Sequence, residues 1–317
     1  MEFQFADLYE ALTDAGPDAP VLVAGDVRCT RAVLDGRANQ LAHHLDRSGI
    51  TRGDRVAVYS HNRVEWVESL LACWKLGAAA VNVNYRYVED ELRYVLDDSE
   101  PRALIYERGL AAPVTGVIGD VPGLDTILVL EDDSPVESVT IAGDPYEGAL
   151  GAASVGRGFA PRSGDDIHLL YTGGTTGMPK GVVWRHEDLY TNLARRHTAG
   201  LGGAPSGGIE RPDQIVRVSG NPLGLRTLAL APLMHGGGQY PFIITTFNGG
   251  VSILSTDRTF DASRVLRLVV DEDVMTLNII GDAMGRPLAE AALREDALRG
   301  DADDVGSLRA ITSGERC

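Results

Sequence analysis

The chain has 317 residues, of which 44% are hydrophobic and 23% charged; this is ordinary globular composition and excludes a disordered, collagenous or disulfide-rich polymer. Its formal net charge of −16 opposes non-specific binding to nucleic acid or to an anionic membrane, so a polyanionic ligand needs a local exception built from backbone N–H groups and a few cations. Cys29, Cys73 and Cys317 are too sparse for a disulfide framework or a zinc site, and the first two read as small core thiols.

The N-terminal stretch MEFQFADLYEAL is acidic and amphipathic. It lacks the basic start and long apolar centre of a secretory leader. No run approaches the ~18 apolar residues of a membrane span, and the expected location is the cytoplasm. Thr30 is a good N-cap for a helix with Leu34, Ala38, Leu41 and Leu45 at helical spacing, closed by Gly49. Arg55–Tyr59 predicts a strand, Val64–Leu76 a helix ending at Gly77, Ala79–Val83 a strand, Val88–Asp98 a helix and Ala103–Tyr106 a strand. This βαβα rhythm predicts an α/β fold with a largely parallel sheet. Residues 107–165 are looser and hold one clear strand, Thr126–Leu130.

A boundary near 150–165 is expected to divide a first α/β subdomain, 1–160, from a second, 161–317. The second opens with a short buried strand, Ile167–Tyr171, that feeds a glycine-rich segment. Helix Glu187–Arg196, strands Thr227–Ala231 and Val251–Leu254, helix Ala262–Val270, strand Met275–Ile279, helix Ala283–Leu293 and strand Leu308–Thr312 are expected after it. Residues 200–222, rich in Gly and Pro, predict a mobile surface loop.

The glycine-rich segment is Tyr171–Gly181, YTGGTTGMPKG. Gly173, Gly174 and Gly177 let successive N–H groups face one concavity without Cβ clashes. Thr172, Thr175 and Thr176 add hydroxyl donors, and Lys180 adds a compact positive charge suited to phosphate. Such a nest can hold the β- and γ-phosphates of ATP and stabilise charge developing on pyrophosphate as it leaves. It is not a Walker A loop: counted from Gly174, Pro179 and Gly181 stand where that motif needs its second glycine and its Ser or Thr. A Rossmann glycine pattern is absent as well.

The segment resembles the signature loop of the adenylate-forming superfamily, which includes acyl-CoA synthetases, peptide-synthetase adenylation domains and firefly luciferase. The usual pattern there is Tyr-Thr-Ser-Gly-Thr-Thr-Gly-x-Pro-Lys-Gly, and Gly173 replaces its serine. The resemblance extends along the chain through LLACWKLGAAAVNVNYRYVEDELRYVLDDSEPRALI, APLMHGGG (Ala231–Gly238), TLNIIGDAMGRPL (Thr276–Leu288) and LRAITSG (Leu308–Gly314). It implies the superfamily's large N-terminal domain, α/β with stacked, mostly parallel sheets flanked by helices. It implies ATP binding by Thr172, Gly173, Gly174, Thr175, Thr176, Gly177, Pro179 and Lys180, with Ser313 and Gly314 near the adenine. His235, Gly237, Asn278, Gly281 and Met284 would line the acyl pocket. Thr176, Lys180 and His235 form the implied catalytic set, with Thr176 also the expected contact to Mg2+, and coenzyme A is the implied co-substrate.

The implied activity is ATP-dependent conversion of a hydrophobic, fatty-acid-like carboxylate to an acyl-adenylate and then an acyl-CoA. A remnant that only binds nucleotide, and an adenylation module with a different acceptor, are the alternatives. Superfamily members run longer than this chain, and Glu315, Arg316 and Cys317 leave the adenine-turn pattern. A truncated product with its C-terminal domain absent is therefore expected. An unpaired final strand predicts poor solubility, dependence on a partner, or a homo-oligomer.

Overall fold

The structure, a computed structural model, describes residues 2–132, 134, 142–173, 178–197, 209–219, 224–299 and 305–313. The acidic N-terminal stretch forms α1 (Phe5–Ala15), opened by the Gln4 side chain, which accepts the N–H groups of Ala6 and Asp7. Its apolar stripe of Phe5, Leu8, Tyr9 and Leu12 is buried. Two strands absent from the sequence expectations come next, β1 (Pro20–Ala24) and β2 (Val27–Thr30). They form a hairpin whose turn uses Gly25 at φ +57°, a left-handed conformation that glycine adopts without strain.

In α2 (Arg31–Arg47), Thr30 Oγ1 accepts the Val33 N–H at 3.3 Å, as expected of an N-cap. The strands β3 (Arg55–Tyr59) and β4 (Ala79–Val83) and the intervening α3 (Val64–Leu76) occupy the expected residues. Gly77, at φ +66°, closes α3. The first half continues through α4 (Glu89–Ser99), β5 (Ala103–Glu107), α5 (Ala111–Val117), β6 (Thr126–Leu130), a short β7 (Asp144–Pro145) and α6 (Tyr146–Gly151).

The second half holds β8 (Ile167–Thr172), β9 (Lys180–Arg185), α7 (His186–His197), β10 (Arg226–Ala229), α8 (Gly236–Phe247), β11 (Val251–Leu254), α9 (Ala262–Asp271), β12 (Thr276–Ile279), α10 (Gly281–Arg299) and β13 (Ala310–Ser313). Within the segment expected to be a mobile loop, Pro212–Val218 winds into a 3-10 helix, while residues 200–208 and 220–222 lie outside the described residues. Three glycines at the start of α8 and Pro241 inside it hide this helix from a propensity reading.

Among the described residues, one sheet runs β4-β3-β5-β6-β7 and is parallel throughout. A second runs β13-β12-β10-β11-β1-β2, parallel except for the β1–β2 hairpin. Helices flank both, so the expected α/β architecture of mostly parallel sheets holds. The β1–β2 hairpin joins the sheet built from residues 226–313, so the proposed division near residue 160 separates sequence segments and not sheets. Lys75 of α3, 1% exposed, bonds Glu10 and Asp35 at 2.7 Å each, which ties α1, α2 and α3 together with a buried charge that is fully paired. No helix of the described residues is long and apolar enough to cross a membrane.

Candidate functional site

The glycine-rich segment closes a hairpin. Strands β8 and β9 pair antiparallel from Ile167↔Arg185 to Thr172↔Lys180, so Lys180 begins a strand and Thr172 faces it across the mouth of the turn. Within that turn Gly174, Thr175, Thr176 and Gly177 lie outside the described residues. Thr172 is half-buried and Gly173 exposed. Pro179 is buried, and its carbonyl accepts the Tyr94 hydroxyl at 3.1 Å. Lys180 is exposed, and among the described residues no carboxylate pairs with it. Among the described residues, a Cβ added to Gly173 meets nothing within 4 Å. The serine of the usual pattern would therefore fit, and its absence removes a hydroxyl while keeping the backbone donor.

Side chains from the neighbouring parallel sheet anchor this hairpin. The strand β8 lies against β4 without joining its ladder, and Asn82 bridges the gap. Its Oδ1 accepts the Tyr171 N–H at 2.7 Å, and its Nδ2 donates to the Tyr171 carbonyl at 2.9 Å and the Met234 carbonyl at 2.6 Å. The Tyr171 hydroxyl donates to Asp98 at 2.6 Å. Burial first, and Asp98 second, push that phenol well above its ordinary range. At the start of β8, Asp166 accepts from Arg52 Nε at 2.7 Å and from the Ser163 N–H at 3.0 Å.

His235 follows a segment fastened from three directions. Asn62 Oδ1 accepts the Leu233 N–H at 2.8 Å, Gln239 Nε2 donates to the Leu233 carbonyl at 2.8 Å, and Asn82 holds Met234. His235 sits at the N-cap of α8 with extended backbone, φ −126° and ψ 153°, but its side chain makes no capping bond and is exposed. Gly237 is exposed beside it. At Gly238 an added Cβ would lie 2.4 Å from the Pro232 carbonyl oxygen, so only glycine lets the helix begin so close to the preceding turn.

The remaining predicted residues meet at the C-terminal ends of β12 and β13, the edge of an open parallel sheet where ligands bind. Asn278 Nδ2 donates to Thr312 Oγ1 at 3.0 Å, its carbonyl accepts the Leu230 N–H at 2.9 Å, and its Oδ1 is buried without a partner. Gly281, at φ +56°, donates its N–H to Ser313 Oγ at 3.1 Å. Met284 is half-buried against the core beneath this sheet, and Gly314 lies outside the described residues. Backbone continuity and bonded contacts thus run from Ser313 and Gly281 through Asn278, Leu230 and His235 to Asn82 and the hairpin.

The comparisons decide the family. The chain matches the sequence pattern described as AMP-binding enzyme over residues 10–317. It belongs to that family. It is 38% identical over 313 residues, 99% of its own length, to the 3-oxocholest-4-en-26-oate–CoA ligase of Rhodococcus rhodochrous, and covers 55% of that protein. It is 40% identical over 312 residues to the medium/long-chain-fatty-acid–CoA/3-oxocholest-4-en-26-oate–CoA ligase of Mycobacterium marinum, with 97% of this chain and 55% of that protein covered. The chain spans about half the length of the curated relatives it matches. Among solved structures, the N-terminal domain of FACL13 from Mycobacterium tuberculosis superposes with a TM-score of 0.74 at 26% identity, covering 98% of this chain and 69% of that one. A long-chain-fatty-acid CoA ligase structure from Rhodopseudomonas palustris shares the fold with a TM-score of 0.79 at 24% identity, covering 99% and 70%.

The sequence reading missed Asn82, Tyr94 and Asp98, which fasten the glycine-rich hairpin, and Asn62, which fastens the segment before His235. The signal for Asn82 was present, as a carboxamide in a strand whose every residue is buried. His168 of β8 and His186 were missed too. Burial holds His168 at about 4, and burial followed by the neighbouring His168 holds His186 well below its ordinary range. Both lie neutral under the hairpin, and His186 stacks on Phe5 at 4.5 Å between centroids. A cavity of about 570 Å³ is lined elsewhere, by Arg28, Arg37, His61, Arg63, Glu107 and Arg258 among others. Its arginines pair with Glu272, Glu68, Glu65 and Glu107, so it offers no net positive site, and no predicted residue lines it.

Proposed function

We propose that this chain is the nucleotide-binding portion of an acyl-CoA ligase acting on hydrophobic carboxylates, of the fatty-acid or steroid-side-chain class named for its relatives. The observation that carries the reading is Lys180, exposed and without a carboxylate partner among the described residues, at the mouth of a hairpin loop spelled YTGGTTGMPKG. In this reading a carboxylate oxygen of the acid attacks the α-phosphorus of ATP, and the bond to pyrophosphate breaks. Thr172, Thr175, Thr176, Lys180 and the N–H groups of Gly173, Gly174 and Gly177 hold the charge gathering on pyrophosphate. Coenzyme A sulfur then attacks the acyl carbon, AMP leaves and the thiol proton passes to solvent. His235, Gly237, Asn278, Gly281 and Met284 border the acyl group, and Ser313 and Gly314 the adenine.

Among the described residues no three His, Cys, Asp or Glu side chains gather to hold a metal ion. In this reading magnesium enters on the phosphates of ATP, with Thr176 the hydroxyl beside it. A cytoplasmic location and a subdomain division near residue 160 belong to the same reading.

The test is pyrophosphate release from ATP and Mg2+ over a panel of carboxylic acids, with thioester formation followed on adding coenzyme A. Release that depends on dodecanoate or 3-oxocholest-4-en-26-oate is expected. Nucleotide binding with no acid-dependent release from any member of the panel would sink the ligase reading.

A further inference from the structure

We infer that Asn82 is a positioning residue that couples the phosphate hairpin to the His235 segment, so that nucleotide binding sets the geometry of the acyl side of the site. The inference rests on the ATP-binding reading above. One planar carboxamide, 3% exposed, holds the N–H and carbonyl of Tyr171 and the carbonyl of Met234, all at 2.9 Å or less. Tyr171 directly precedes Thr172 of the loop, and Met234 directly precedes His235. A displacement of Tyr171 therefore reaches Met234 and the adjoining His235 through a single rigid group.

The surroundings leave that group little freedom. Asn82 is itself 3% exposed in a strand whose every residue is buried, so packing and its three hydrogen bonds hold its rotamer. The strand β8 pairs with β9 alone among the described residues. The Tyr171 N–H and carbonyl turn away from β9 and have Asn82 as their partner. Removing the carboxamide leaves three buried backbone groups to find other partners, a penalty that forces either the hairpin or the Met234 turn to shift. Tyr94 anchors the other limb of the hairpin, at Pro179, without touching the His235 segment, and so provides a comparison.

Hydrogen exchange read by mass spectrometry over residues 168–185 and 231–239, with and without ATP and Mg2+, tests the coupling on the whole chain. In the wild-type protein, saturating ATP is expected to slow exchange in both segments. Asn82→Ala is expected to bind ATP at least ~10-fold more weakly, about 1.4 kcal/mol, and at saturation to slow exchange in the hairpin only. Tyr94→Phe also weakens ATP binding but keeps protection in both segments. Asn82→Asp keeps an acceptor for the Tyr171 N–H, sets a carboxylate against two carbonyls, and should match Asn82→Ala; it carries the same readout if the alanine variant does not fold.

Protection of both segments in either Asn82 variant at saturating ATP overturns the inference while leaving the ligase reading intact. A wild-type chain that does not bind ATP overturns the ligase reading instead. Exchange without nucleotide then decides the inference: faster exchange in both segments of Asn82→Ala upholds it, and faster exchange in only one overturns it.

Discussion

The pair β3–β4 and the pair β8–β9 do opposite jobs. In β4 every residue is buried and in β3 all but Arg55, and five registered parallel pairs join them. In β9 every residue but Trp184 is exposed, and the hairpin is located by Asn82, Tyr94, Asp98 and Asp166 rather than by a continuing ladder. Burial on both faces makes a strand rigid and easy to read. A strand pair that carries a loop to the edge of a sheet keeps one face for ligand and must be positioned by a few polar side chains.

The largest way to break this contrast is on the buried side. Trp74, 1% exposed, packs on Phe5 and Phe247 with centroids 4.7 and 6.4 Å away. Trp74→Ala should cost about 3–5 kcal/mol in urea denaturation; a loss under about 1 kcal/mol would show that this core is not close-packed.

Acid should act next, from beneath the hairpin. His168 and His186 have folded values below the ~6.5 of an unfolded histidine. The unfolded chain therefore binds more protons below that value, and stability falls as pH drops from ~6.5 toward 4, by about 2 kcal/mol at pH 5 for His168, with His186 acting in the same direction. Glu107 follows at lower pH. Burial would raise it, but hydrogen bonds from His61 hold it down to about 2, so its contribution is present above ~4.5 and is lost as pH falls toward 2. Equal denaturation midpoints at pH 7.5 and pH 5 would contradict this account.

Lys180→Met sharpens the comparison from the exposed side. It should leave the thermal midpoint within a few degrees, since Lys180 has no carboxylate partner to lose, and weaken ATP about 10–100-fold by titration calorimetry, the range of a lost charge-assisted hydrogen bond. An unchanged affinity would remove Lys180 from the phosphate site. The smallest effect is expected at Gly173→Ser. The space around its Cβ is open, so stability should stay within about 0.5 kcal/mol, while ATP binds a few-fold more tightly through the added hydroxyl.

Legibility followed the same division. The residues of β3, α3, β4, β6 and β11 were readable to the residue because both-face burial and a left-handed Gly77 cap leave marks in the letters themselves. The strands β2 and β9 were not, since most of their residues are exposed; β1, a buried apolar run, was passed over. Among the proposed site residues, Lys180 and His235 stand out in the sequence through their motifs. That Lys180 opens a strand, and that His235 sits at an N-cap without capping, depends on pairing and backbone angles that no local pattern encodes. Asn82 was passed over because its importance comes from what meets it in space.

The seating of β1 beside β11 has a consequence for how the chain is made. Leu22 pairs with Ser252, so β1 finds its neighbour only after the residues between them, the whole first sheet included, have been synthesised. The sheet from β3 to β6 can close on the way, since its strands follow one another at short range. Val21, Leu22 and Val23 must meanwhile be shielded on one edge by β2 alone. Such long-range parallel closure is slow and exposes sticky edges while it waits, and a nascent chain halted before Val251 would hold a finished first sheet beside an unfinished second.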